Sequence, residues 1–195
     1  MSRVDEPKRR RLTVDDFAKM CEAGILTSDD RVELIDGELI EMPPMGPPHA
    51  GIVNHLAKVL ILRLGDEADL RVQSSVLLSR FTQPEPDLAI VRPDSAAYML
   101  RHPQPADILV AIEVADSSLR YDRQEKMPRY AAAGVPEAWL VDVRARTITV
   151  YTGPSADGYE TSRTLAWTEE LVATAVPGLS LVFEEILPEA LFPAV

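Results

Sequence analysis

One run of residues constrains the fold more than any other: Ile108-Leu109-Val110-Ala111-Ile112, five apolar residues without a break, followed at once by Glu113. A strand with one face in water alternates apolar and polar residues, because successive side chains point to opposite sides. A continuous run suits a strand covered on both faces, hence the centre of a sheet with helices packed on it. The chain around it has 195 residues, which fits one domain able to bury a core without staples.

The flanking patterns fill in the layers. Thr13 with Val14-Asp15-Asp16 reads as a helix start, with acids in the first turn and Gly24 as the stop. Arg31 to Ile35, Asp36-Gly37, then Glu38 to Met42 reads as a β-hairpin, since Asp-Gly suits the left-handed positions of a two-residue turn. After the Pro-rich loop at residues 43–48, a 3.6-residue apolar period predicts a helix from about His49 to Arg63, ended by Gly65. Leu70 to Ser79 and Leu88 to Val91 are expected strands. A second helix is expected from Ser118 to about Gly134, disturbed by Pro128. Ala138 to Val141 and Thr147 to Tyr151 read as a strand pair, with a further strand at Leu179 to Phe183 and a short C-terminal helix. The expected class is therefore α/β: a central mixed sheet flanked by helices, preceded by a helix and a hairpin. Residues 1–12, with the basic run Lys8 to Arg11, read as a flexible tail, and 13–195 as a single domain.

Composition narrows the function. With 20 basic and 31 acidic residues the net charge is −11, which argues against tight nonspecific DNA binding, since phosphate contacts need a basic face. Cys21 is the only cysteine, so no internal disulfide forms, and three histidines make a poor start for a closed zinc site. No apolar stretch is long enough for a membrane span, and the charged N-terminus lacks a hydrophobic segment behind it, so a cytoplasmic protein is expected.

Two acids are oddly placed. Asp87 directly precedes one apolar strand and Glu113 directly follows the most apolar one. If those strands pair antiparallel, the two carboxylates meet at one edge of a buried sheet. Carboxylates held together away from water need a cation or a proton. Mg²⁺, a hard ion bound through one or two carboxylates and several waters, is the common answer. Taken singly, Asp87 also reads as a turn residue after Pro86, and Glu113 as a solvated strand end. Lys126 lies four residues after Asp122 and four before Tyr130, so all three share a helix face. The ammonium could serve as an ion-pair partner of Asp122 or be aimed at the sheet edge to stabilise negative charge. Glu33 alternates with Val32 and Leu34, which by itself reads as an exposed position. Tyr130 and Trp139 read as core.

In this order and at these intervals, Arg31 to Leu39, Pro48-His49, Pro86-Asp87-Leu88, Ile112-Glu113-Val114, Asp122 with Lys126, Tyr130, and Gly134 to Asp142 resemble the bacterial Uma-two family of restriction-endonuclease-like proteins, within the PD-(D/E)xK nuclease-like superfamily. The resemblance spans about Thr13 to Leu187. It implies a restriction-endonuclease-like core, with Asp87 and Glu113 as the metal-binding acids and Lys126 as the motif's lysine. Glu33 corresponds to an additional acid from an early element. His49 matches a recurrent histidine, open between capping its helix and serving phosphate binding or proton transfer, and Asp122 and Tyr130 are accessory candidates. The implied activity is Mg²⁺- or Mn²⁺-dependent hydrolysis of phosphodiester bonds in DNA, by a homodimer suited to cutting both strands. The alternative is a catalytically inactive module of the same fold that binds nucleic acid or a protein partner. The sequence departs from the superfamily pattern at Ala115, where the lysine two residues after the glutamate is usual, so Lys126 must reach the site from the helix.

Overall fold

The computed structural model describes residues 9–27 and 29–187. Most of the expected basic tail, residues 1–8, lies outside the described residues, as do residues 188–195. Arg11 and Leu12 lie against the hairpin turn: the Leu12 N–H donates to the Gly37 carbonyl at 2.9 Å, and the Arg11 guanidinium stacks 4.3 Å from the Phe81 ring centre.

Helix α1 (Val14–Glu22) starts where the sequence signals it, in a reciprocal cap. The Asp16 N–H donates to Thr13 Oγ1, and the Thr13 N–H donates to Asp16 Oδ2. Strands β1 (Val32–Ile35) and β2 (Glu38–Glu41) form the hairpin, with Asp36 and Gly37 at φ 52° and 83°. Gly37 is required twice over, because a Cβ there would also lie 2.5 Å from Arg11 Cβ. Helix α2 (Pro47–Leu64) begins two residues earlier than expected. Pro47 and Pro48 occupy its first turn, where a missing N–H costs nothing.

The main sheet has six strands in the order β3 (Asp69–Val72), β4 (Leu88–Val91), β5 (Ile108–Ala115), β6 (Glu137–Asp142), β7 (Thr147–Ser155) and β8 (Gly158–Ala166). Only β5 and β6 are parallel, so the sheet is mixed. Strand β5 is buried along its whole length and sits inside the sheet. Leu88, Ile90, Val110, Ile112 and Val114 pack on the same side as the buried face of α2, while Ala89, Val91 and Ala111 pack with Met127 and Tyr130 on the other. Two covered faces explain the absence of polar residues in Ile108 to Ile112. The C-terminal part adds a two-stranded ribbon, β9 (Glu170–Val172) with β10 (Ser180–Val182), and the short α5 (Phe183–Ile186).

Two expectations need correction, and one strand was not foreseen. The strand expected over Leu70 to Ser79 ends at Val72, because Gln73 turns into the left-handed region at φ 43° and the chain leaves the ladder. The helix expected from Ser118 is three pieces: α3 (Leu119–Tyr121), a π-helical turn (Asp122–Lys126) and α4 (Met127–Ala132). Pro128 has no N–H to continue an α-helical ladder, and the wider turn just before it carries the Met127 N–H to the Asp122 carbonyl. Strand β8 escaped the sequence reading because it is an outer strand with mostly exposed side chains, so the apolar alternation that marks a half-buried strand is weak.

Candidate active site

The register of β4 on β5 sets the site. Leu88 pairs with Ile112, so Asp87 falls opposite Glu113 at the next step. The Val114 N–H donates to Asp87 Oδ2 at 2.8 Å and ties the two strand positions together. Glu113 is not a solvated strand end; it lies within β5 and is 2% exposed. Its side chain points to the face covered by the helical stretch after β5. There the Tyr130 hydroxyl donates to Oε1 at 2.6 Å, and Lys126 Nζ lies 3.2 and 3.3 Å from Oε1 and Oε2.

Lys126 also donates to Glu33 Oε1 at 3.0 Å. Glu33 is 4% exposed, which overturns the reading of it as a surface residue. The period-2 pattern within β1 could not report this, because the hairpin lies against the segment leading into β4. The Glu85 N–H donates to the same Glu33 oxygen at 2.9 Å, and Leu34 forms a bridge with Gln83. The other oxygen, Oε2, is buried without a hydrogen-bond partner among the described residues.

His49 is the third residue of α2, whose N-cap is Gly46, so it does not cap its helix. Its Nε2 lies 3.1 Å from Asp87 Oδ2. Asp122 is buried in the π-helical turn and accepts from the Ser118 hydroxyl at 2.5 Å. The structure thus brings all seven candidates together. Glu33, His49, Asp87, Glu113, Asp122 and Lys126 line one cavity of about 350 Å³, and Tyr130 stands behind Glu113.

Three carboxylates, from Glu33, Glu113 and Asp122, act on one ammonium, and Asp87 adds a fourth acid to the same cavity. Burial pushes the Glu113 carboxyl well above the usual range despite the attraction of Lys126, and the neighbouring acids push the same way. Burial likewise pushes Asp122 up to about 6. For Lys126, burial alone would favour the neutral amine, but Glu113, Glu33 and Asp122 outweigh it and hold the ammonium above the ordinary lysine range. The hydrogen bond to Asp87 raises the His49 imidazole against the effect of its own burial.

Sequence reasoning missed Glu85, whose side chain lines the cavity and whose carboxyl is raised by burial and by Glu33. Pro84-Glu85-Pro86-Asp87 registers only as a turn. Its spacing from Asp87 was the sole available signal. Arg31 and Ser118 line the cavity too, with no pattern to single them out.

The oxygen-rich lining fits a hard divalent ion better than a soft one. Among the described residues, no group of three or more His, Cys, Asp or Glu side chains is set to hold a metal ion by itself. A divalent ion held here would therefore draw on two carboxylates, with waters completing its shell.

The Uma2 family model, described as "Putative restriction endonuclease", matches residues 14–184. The chain belongs to the Uma2 family. The match takes in every candidate residue of this Uma2 site, from Glu33 to Tyr130. A crystal structure described as a putative nuclease belonging to DUF820, from Anabaena variabilis, superposes with a TM-score of 0.71 at 16% identity, covering 90% of this chain and 97% of that one. At that identity the likeness establishes a shared fold. No curated protein matches the sequence. No helix among the described residues is long and apolar enough to cross a membrane.

Proposed function

We propose that this Uma2 protein is a divalent-metal-dependent endonuclease that hydrolyses phosphodiester bonds in DNA. Asp87 and Glu113 would hold Mg²⁺ or Mn²⁺, Lys126 and Glu33 would complete the catalytic set, and a homodimer would address the two strands. The observation that carries the reading is the convergence of Lys126, Glu33 and Glu113 within 3.3 Å, one step along the sheet from Asp87, in an open cavity. A core salt bridge serving only stability would have matched charges; this one has excess acid. The family's nuclease description points the same way.

A bound divalent ion supplies Lewis acidity to the phosphoryl group and lowers the pKa of water. The chain's own groups do the rest. Lys126 is held charged by three carboxylates, so it can stabilise negative charge building on a phosphate without first gaining a proton. Tyr130 fixes the rotamer of Glu113 through its hydroxyl, and the Val114 N–H fixes Asp87. His49, held on Asp87, sits at the same wall and is a candidate to contact phosphate or carry a proton. Glu33 keeps Lys126 from collapsing fully onto Glu113.

A second reading has one observation in its favour. Both Glu113 oxygens already engage Lys126, and one also accepts from Tyr130, as a retained scaffold would. Incubating supercoiled DNA with the purified protein, with Mg²⁺, with Mn²⁺ and with chelator, separates the two. Nicking or linearisation that needs the metal and disappears in Lys126→Ala supports the nuclease. No cleavage of DNA under any metal, with RNA and single strands tested in parallel, leaves the binding module or a different substrate.

A further inference from the structure

The edge of the main sheet at β3 has the features of a self-pairing surface. Hydrogen bonding fixes which backbone groups face outward there. The Gln73 N–H donates to the Asp87 carbonyl at 3.0 Å, so Arg71 and Asp69, at the same parity, turn their backbone groups to β4. Leu70 therefore presents its N–H and C=O groups to the free edge, and Val72 its N–H, while the Val72 carbonyl accepts from the Ser74 hydroxyl at 2.8 Å. No strand covers that edge among the described residues. Exposed edges of this kind are normally blunted by Lys, Pro or a covering loop. Here the strand carries one charge of each sign, Asp69 and Arg71, and its surroundings are apolar. Ile61 and Leu62 on α2 are 56% and 76% exposed, and Met99 and Leu100 are 81% and 87% exposed.

The loop bearing Met99 and Leu100 is built to hold them out. Ala97 and Tyr98 are consecutive non-glycine residues at φ 50° and 57°, a conformation that persists only where the surroundings enforce it. Asp94 supplies that enforcement by accepting from the N–H groups of Ala96 and Tyr98. The Tyr98 hydroxyl donates to the Arg92 carbonyl at 2.7 Å, and the guanidinium groups of Arg71 and Arg101 lie 5.9 and 5.0 Å from its ring centre. Beside the projecting pair is a cavity of about 330 Å³ lined by Ile61, Gly65, Leu70, Ala97 and Tyr98.

We infer that a second copy of this chain adds to the β3 edge antiparallel, with Leu70 opposite Leu70 of the second copy, joining the two sheets into one. Parity allows either Leu70 or Val72 at the axis, and charge selects Leu70: that register places Asp69 opposite Arg71 in both directions, so that opposite charges meet twice. A two-fold axis normal to the sheet leaves the two cavities opening on the same face. The inference deepens the two-fold pairing proposed above. Its test reads mass alone, so its failure leaves the cleavage chemistry untouched.

The test is sedimentation velocity of the full chain and of two charge variants, Asp69→Arg and Arg71→Asp, with far-UV circular dichroism to confirm folding. The wild type should sediment as a dimer. Each variant alone should dissociate at least about tenfold more readily, because like charges then face each other twice. Mixing the two variants should restore the dimer, since only the mixed pair sets Arg against Asp at both positions. Met99→Ser with Leu100→Ser, which leaves the strand intact, should also weaken the dimer. A wild type that stays monomeric, variants that dimerise as well as wild type, or a mixture no tighter than its components would each overturn the inference.

Discussion

Two glutamates in adjacent buried strands, Glu113 on β5 and Glu137 on β6, show what separates chemistry from architecture in this molecule. Both are at most 2% exposed, and both adjoin apolar runs. Glu137 is enclosed by donors: Trp139 Nε1 at 2.6 Å, the Thr174 hydroxyl at 2.6 Å, and the N–H groups of Thr174 and Ala175 at 2.7 and 3.0 Å. It fastens the C-terminal segment to the sheet, and it lines no wall of the acidic cavity. Glu113 instead shares its surroundings with Asp87, Glu33 and Asp122, and its cavity opens to solvent. A buried carboxylate satisfied by neutral donors holds a fold together. Glu113, crowded by other carboxylates and countered by Lys126, faces the cavity where the proposed chemistry would take place.

The contrast breaks most sharply under substitution. Glu113→Gln and Asp87→Asn should each lower the metal-dependent cleavage rate at least about 100-fold while leaving the protein folded, because they remove transition-state stabilisation and relieve like-charge repulsion. Initial rates on a plasmid substrate check this. Glu137→Leu should do the reverse. It strands several buried donors at about 1–3 kcal/mol each, so a loss of about 3–5 kcal/mol and a Tm fall of roughly 10 °C are expected. Cleavage per folded molecule should be unchanged. If Glu137→Leu abolished cleavage at a temperature where it stays folded, the division between the two glutamates would fail.

A smaller effect sharpens the comparison through pH. The folded chain keeps Asp122 protonated up to about 6, whereas the unfolded chain releases that proton near 3.8. Between those values the native state binds the extra proton, so stability falls as pH rises through the window. Glu113, raised in the same direction, contributes with the same sign. Asp122→Asn should flatten the fall between pH 4 and 6 by no more than about 3 kcal/mol, at about 1.4 kcal/mol per pH unit. Urea unfolding midpoints across that range measure it. A steeper slope in the variant would contradict the assignment.

The sequence made the Asp87 and Glu113 encounter legible because one acid precedes and the other follows an unmistakable apolar run, and antiparallel pairing of those runs leaves little choice of geometry. The hairpin turn was legible from Asp36-Gly37, where the backbone itself demands those residue types. Glu33 was not, since its burial comes from residues 83–85, some 50 positions away, folding over β1. The π-helical turn was foreshadowed by Pro128 only as a disturbance of unknown form. Glu113 and Glu137 look alike as sequence; donors contributed by Thr174 and Ala175, far along the chain, are what distinguish them.

The most direct measurement is calorimetric titration of Mn²⁺ into the wild-type protein and into Asp87→Asn, at neutral pH with DNA absent. The expected result is a saturable heat in the wild type that Asp87→Asn weakens at least tenfold, with a matching rise in wild-type Tm as the ion binds only the folded chain. Equal heats in both proteins, or none in either, would contradict the claim that the crowded carboxylates exist to hold a metal.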